Sequence, residues 1–205
     1  ETLDIRDGEP VTLEVTITHH GPVIAGEPTD GTGVALSDPG LIAGSAWVDA
    51  VRDAMLSRSV EELHRAFGNW TDRVNNYAVA DVEGNFGYIH EGKIPVRDEV
   101  NGWSAVSGYD GKHEWRGYIP HEELPKAINP EAGYAITCNQ RVAEHDYPYY
   151  VGISFTPEYR GRRVQSRILQ LTQGEATVED MGNIHAERVS LPARLMVKGL
   201  DGATS

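Results

Sequence analysis

Cysteine is almost absent: Cys138 is the single one in 205 residues, so no disulfide can form within the chain and thiols say nothing about redox compartment. No apolar run approaches the ~20 residues a membrane-spanning helix needs. Positive charge is also scarce. With 18 Lys and Arg against 31 Asp and Glu, the net charge is −13; this excludes an ordinary nucleic-acid binder, which needs clustered cations for phosphate. A starting Met and a signal-peptide pattern are both missing. Because Glu1 opens directly on a strand-like pattern, the beginning reads as a cut end. Several catalytic signatures are absent too: GxGxxG, a Walker-type loop, CxxC, HExxH and the G-x-S-x-G elbow.

What is present is an ordinary globular composition, 40% hydrophobic and 24% charged, and enough chain for one sizeable domain. Val11, Leu13, Val15 and Ile17 alternate with Thr12, Glu14, Thr16 and Thr18, as a half-buried strand requires. Leu3 and Ile5 precede it across an Asp7-Gly8 turn, which predicts a hairpin. Residues 26–45 are rich in Gly, Asp, Pro and Thr and read as a loop. Trp47, Val48, Val51, Ala54 and Met55 recur at helical spacing, and Ser59 with Glu62 forms a capping box before Leu63, Ala66 and Phe67. A second hairpin is expected over 77–81 and 86–90, with loops and short strands over 91–133. A buried strand is expected over 134–137. Thr156-Pro157-Glu158 reads as a helix start that puts Val164, Ile168 and Leu171 on one face; Thr177 opens another helix and Leu191 a last one. Hairpins mixed with separate helices give an α+β class.

The residues alone carry little chemistry. Of eight histidines only His19 and His20 are adjacent; strand neighbours point to opposite faces, so the pair is not expected to share a metal ion. Asp81 and Asp146 lack the spacing of a calcium loop and are expected to cap turns. Asn69-Trp70-Thr71 fits a glycosylation acceptor, a triplet common by chance.

A series of short motifs changes this. THHGPVI at 18–24, NYAVAD at 76–81 with GNFGY at 84–88, GKIPVR at 92–97, WRGYIP at 115–120, TCNQ at 137–140, DYPYY at 146–150 and YRGRRV at 159–164 follow one another. In this order they resemble the penicillin acylase (penicillin amidase) family of N-terminal-nucleophile hydrolases, over nearly the whole chain. The resemblance implies a precursor that cuts itself and exposes an N-terminal Ser, which attacks an amide carbonyl with its own α-amine as base. A free α-amine, with a pKa of about 7.7–8.0, suits that task. The Ser is not in this chain. Residues 1–205 are therefore expected to be a single domain, a fragment of the large (beta) subunit lacking the nucleophile segment and the C-terminal part, and inactive alone.

By the same resemblance Asn139 matches the Asn whose amide helps form the oxyanion hole; from spacing alone it would be a turn or strand-end residue. Arg163 matches an Arg that orients the site, with Arg162 in its place if the register slips by one, and a solvated basic helix face as the structural alternative. The implied fold is part of a four-layer αββα sandwich. No cofactor is expected in this chain; calcium bridges the subunits of some members, but the position matching a ligand is Val151, with Asp146 as a substitute. The implied partners are a small-molecule N-acyl substrate and the rest of the precursor, and exposed edges would let the piece self-associate. Export to the periplasm or cell exterior is the family habit. The competing class is a non-catalytic binding module using the aromatic stretch 101–120.

Overall fold

The computed structural model describes residues 1–42, 44, 47–71, 73–171 and 176–201. Its elements in order are β1 (Thr2–Leu3), β2 (Val11–Thr12), β3 (Ile17–Thr18), β4 (Gly21–Glu27), β5 (Thr32–Ala35), α1 (Pro39–Ile42), α2 (Trp47–Leu56), α3 (Val60–Ala66), β6 (Asn75–Ala80), β7 (Phe86–Glu91), α4 (Val100–Trp103), β8 (Lys126–Ile128), α5 (Tyr159–Ile168), α6 (Val178–Ala186) and α7 (Leu191–Asp201). Among the described residues every strand pairing is antiparallel, in separate sheets β1–β2, β3–β4–β5 and β6–β7–β8. The α+β class holds, with open sheets.

The best-packed region is the β6–β7 hairpin with α2 and α3. Asp81 closes its turn by accepting from the amides of Glu83 and Asn85 at 3.0 and 2.9 Å, and reaches the Val60 amide at the start of α3 at 3.2 Å. One carboxylate thus ends a strand and begins a helix. Its hydrogen bond to the Asn85 side chain leads the effects that hold it below the ordinary carboxylate range. Ala50, Phe67, Trp70 and Ile89 form the core between these elements, with Val51, Leu63, Tyr77 and Val79 against it. Phe67 stacks on Tyr77 and meets Trp70 edge-on. A smaller core of Ile94, Ile119 and Leu124 takes in Val96, Tyr149 and Val151, where the chain bridges back through Pro95 and Tyr118.

Several expectations need correction. The long strand over 11–17 breaks between β2 and β3, and its apolar residues are exposed: alternation gave the pairing but no covering layer. Residues 26–45 are not a plain loop, since β4 and β5 pair there around a 3-10 turn ended by Gly31 at φ +97°; residues 43 and 45 lie outside the described residues. Glycine in that stretch serves the turn of a hairpin. The capping box of α3 is half made, because Glu62 reaches the Arg58 amide, not that of Ser59. Residues 134–137 are half-buried without a strand ladder. Helix α5 starts at Tyr159 with Glu158 as its cap, because the Thr156 amide is drawn to the Asn139 carbonyl at 2.7 Å. The box at Thr177 and Asp180 is complete. No described helix is long and apolar enough to cross a membrane.

Candidate functional site

Asn139 sits on the turn after 134–137 with φ +61°, a left-handed conformation that Asn tolerates better than most side chains. Gln140 ties the turn together: its side chain accepts from the Cys138 amide at 2.6 Å and donates to the Ile136 carbonyl at 2.9 Å. Arg160, in the first turn of α5, donates through Nη2 to both the Cys138 carbonyl and Asn139 Oδ1, each at 2.7 Å. A guanidinium can only donate, so Oδ1 is identified as the oxygen and Nδ2 must face elsewhere. No hydrogen-bond partner meets Nδ2 among the described residues. An exposed N–H donor is thereby held in a fixed direction beside a positive charge.

Arg163 is placed differently. It pairs with Glu187 after α6, with Nε at 2.7 Å and Nη2 closer still, while Arg167 approaches the other Glu187 oxygen at 2.9 Å. Arg162 pairs with Glu158 on its own helix. The structure therefore brings Arg160 to Asn139 and sends Arg163 to the α5–α6 junction. In the sequence Arg160 stood only inside the motif YRGRRV, with Arg163 singled out one turn further along α5.

Asn139 lines a cleft of about 260 Å³ together with Asn76, His90, Lys93 and Arg97. Inside it Asn76 Oδ1 receives the Tyr88 hydroxyl at 2.7 Å and lies 2.6 Å from His90 Nδ1. Burial pushes the His90 pKa down to about 4 and the Tyr88 phenol well above its usual range, so both stay neutral near pH 7. The aromatic stretch 101–120 forms no single platform. Trp115 and Tyr118 pack edge-on, Trp103 and Tyr109 stand exposed, and no ring contact joins the pairs among the described residues.

Two further polar groups lie outside this cleft. Glu91, fully buried at the end of β7, accepts from His64 Nδ1 at 2.6 Å and His121 Nε2 at 2.7 Å. Lys126 donates to His64 Nε2 at 3.0 Å, which fixes the His64 tautomer. Burial pushes the Glu91 carboxyl upward, yet hydrogen bonds and charge from His121 and His64 outweigh it and hold it below the ordinary range. The other group is His19, His20 and Glu114. Contrary to the strand expectation, the two histidines occupy the turn between β3 and β4, and both reach Glu114. Val151 packs in the small core, and Asp146 belongs to neither group.

The penicillin amidase family profile matches residues 1–205. The chain is 33% identical to the penicillin acylase 2 proenzyme of Pseudomonas sp. (strain SE83), over 99% of this chain and 27% of that protein. It is 29% identical to the penicillin G acylase of Escherichia coli, over 72% of this chain and 17% of that one. It is also 29% identical to the acyl-homoserine lactone acylase QuiP of Pseudomonas fluorescens, over 80% and 20%. The thermostable penicillin G acylase from Alcaligenes faecalis superposes with a TM-score of 0.66 at 22% identity, over 90% of this chain and 33% of that chain. The chain thus shares part of an N-terminal-nucleophile-hydrolase fold, and it spans about a quarter or less of the length of these relatives.

Proposed function

Because the chain belongs to the penicillin amidase family, we propose that it is the oxyanion-supporting part of an enzyme that hydrolyses N-acyl amides through an acyl-enzyme. The observation that carries this is the Arg160-held amide of Asn139, with Oδ1 engaged at 2.7 Å and Nδ2 left as a directed donor. An N-terminal Ser from sequence outside this chain attacks the substrate carbonyl and passes its proton to its own α-amine. The carbonyl oxygen gains negative charge, and the Asn139 N–H stabilises it. Collapse expels the amine, which takes that proton, and water then releases the acid. Arg160 polarises the amide and prevents its rotation; Arg163 acts at a distance by fixing α5 to the segment after α6.

The named activities of the relatives support a substrate class of N-acyl compounds, including β-lactam side-chain amides and acyl-homoserine lactones. The exposed apolar residues of β1–β3 and α7, Leu3, Ile17, Leu195 and Met196 among them, offer faces to the rest of the precursor, or to a second copy when the chain stands alone.

The test uses the processed full-length protein and burst kinetics on a chromogenic N-acyl anilide. Asn139→Gly keeps the φ +61° turn unstrained and should slow acyl-enzyme formation by about 100- to 1000-fold. Arg160→Ala should slow the same step, whereas Arg163→Ala should chiefly lower thermal stability. Unchanged acylation in Asn139→Gly removes Asn139 from the oxyanion hole.

A further inference from the structure

Two groups among the described residues place three His and Glu ligand atoms within 4.8 Å of one another, and their hydrogen bonding separates them. In the His64–Glu91–His121 group each carboxylate oxygen takes one ring N–H, at 2.6 and 2.7 Å. The rings stack at an interplanar angle of 21°, so their lone-pair directions run side by side and do not converge. The Lys126 ammonium at 3.0 Å from His64 Nε2 adds repulsion for any second cation. That group is complete without a metal.

The second group is built otherwise. His19 and His20 turn their rings to the same side, centroids 3.7 Å apart and planes tilted by 42°. Their Nε2 atoms lie 3.3 and 2.9 Å from one and the same oxygen, Oε1 of Glu114. Glu114 Oε2 and both Nδ1 atoms have no hydrogen-bond partner among the described residues. A tetrahedral ion with bonds of about 2.0–2.1 Å has ligand–ligand edges of about 3.3 Å; the two edges that meet at Glu114 Oε1 are close to this, and all three ligand atoms lie within 4.8 Å of one another.

The supports are specific. His20 donates its amide to Thr18 Oγ1 at 3.2 Å, and its carbonyl accepts from the Ser37 hydroxyl at 2.8 Å. Gly108 lets the ring lie against the backbone, since a Cβ there would come within 3.1 Å of His20 Cε1. His19 is exposed, which leaves an entry path and room for water as a fourth ligand.

We propose that His19, His20 and Glu114 bind one divalent transition cation of the zinc class, which clips the β3–β4 turn to the 111–117 loop. Two imidazoles and one carboxylate favour zinc, copper or nickel over calcium or magnesium. Ligands 94 and 95 residues apart make the ion a long-range tie. The net charge of −13 favours its arrival. This site is independent of the proposed amidase chemistry.

The experiment strips the full-length protein with a chelator and titrates zinc alone by calorimetry, with cobalt as a spectroscopic substitute. One ion per chain and a tetrahedral cobalt absorption band are expected. His19→Ala and Glu114→Gln should each weaken binding by at least about tenfold and abolish the band, while His145→Ala, at an exposed histidine outside the group, should change neither. If Glu114→Gln fails to fold, His19→Ala, at an exposed side chain, decides alone. Absence of binding, binding that survives His19→Ala, or equal loss in His145→Ala (an adventitious ion only) overturns the proposal.

Discussion

His90 combines a cleft position with a buried, neutral ring whose pKa is pushed down to about 4. An unfolded histidine titrates near 6.5, so the folded-state value is the lower one. Its contribution to stability is full above about pH 6.5 and is lost as pH falls toward 4. The gap from 6.5 to about 4 corresponds to on the order of 3 kcal/mol. Urea unfolding should give a lower midpoint at pH 4.5 than at pH 7, and His90→Asn should flatten that difference; a profile unchanged by the substitution would assign the pH effect to another group. The residue scale also shows where sequence reading stops. Arg160, Arg162, Arg163 and Arg167 look equivalent on paper. Arg160, Arg163 and Arg167 fall at i, i+3 and i+7 and share one face, so position along α5 decides between Asn139 in the first turn and Glu187 further on, while Arg162 turns to Glu158. For His19 and His20 the error had the opposite origin: the alternation rule was sound, but the pair falls on a turn, where it does not apply.

At the scale of elements, what was legible had a local cause. The β6–β7 hairpin was readable because alternation flanks Asp81 and Gly84, and α3 and α6 because Ser59 and Thr177 cap them. β8 was not readable as a partner of β7: Lys126, Ala127 and Ile128 form a strand only because they meet 87–89 across the sheet. The extended stretch at 134–137 fails as a strand for the same reason, having no ladder partner among the described residues. The β7–β8 contact depends on Gly87, where a Cβ would stand 2.2 Å from the Ala127 carbonyl oxygen. Gly87→Ala should therefore push β8 outward at a cost of about 1–3 kcal/mol. Hydrogen exchange should show faster exchange at the His90 amide, which donates to the Pro125 carbonyl at 3.0 Å beside β8, with the β6–β7 ladder protected. Equal protection throughout would mean that β8 adjusts without separating.

At the scale of the molecule, order is concentrated where chain segments are tied by polar groups as well as by packing. The core of Ala50, Phe67, Trp70 and Ile89 holds one side of the β6–β7 sheet, whereas the β1–β3 strands and α7 carry apolar residues outward. Sequence patterning located those apolar faces correctly but could not supply what covers them. The candidate site was legible as motifs, TCNQ and YRGRRV, and became a geometry only when α5 was set against the turn of Asn139.

The Glu91 network has a consequence in time. Its hydrogen bonds join residues separated by 27, 30 and 62 positions, so it cannot close until α3, β7 and the segment before β8 are all in place. Groups that meet this late add to the native state after the rate-limiting barrier has been crossed. Glu91→Gln should then steepen the loss of native protein, raising the unfolding rate while leaving the folding rate nearly unchanged in stopped-flow measurements. A folding rate that fell in proportion would place the network inside the nucleus. As built, the buried carboxylate governs how long the fold lasts once formed, more than how quickly it is reached.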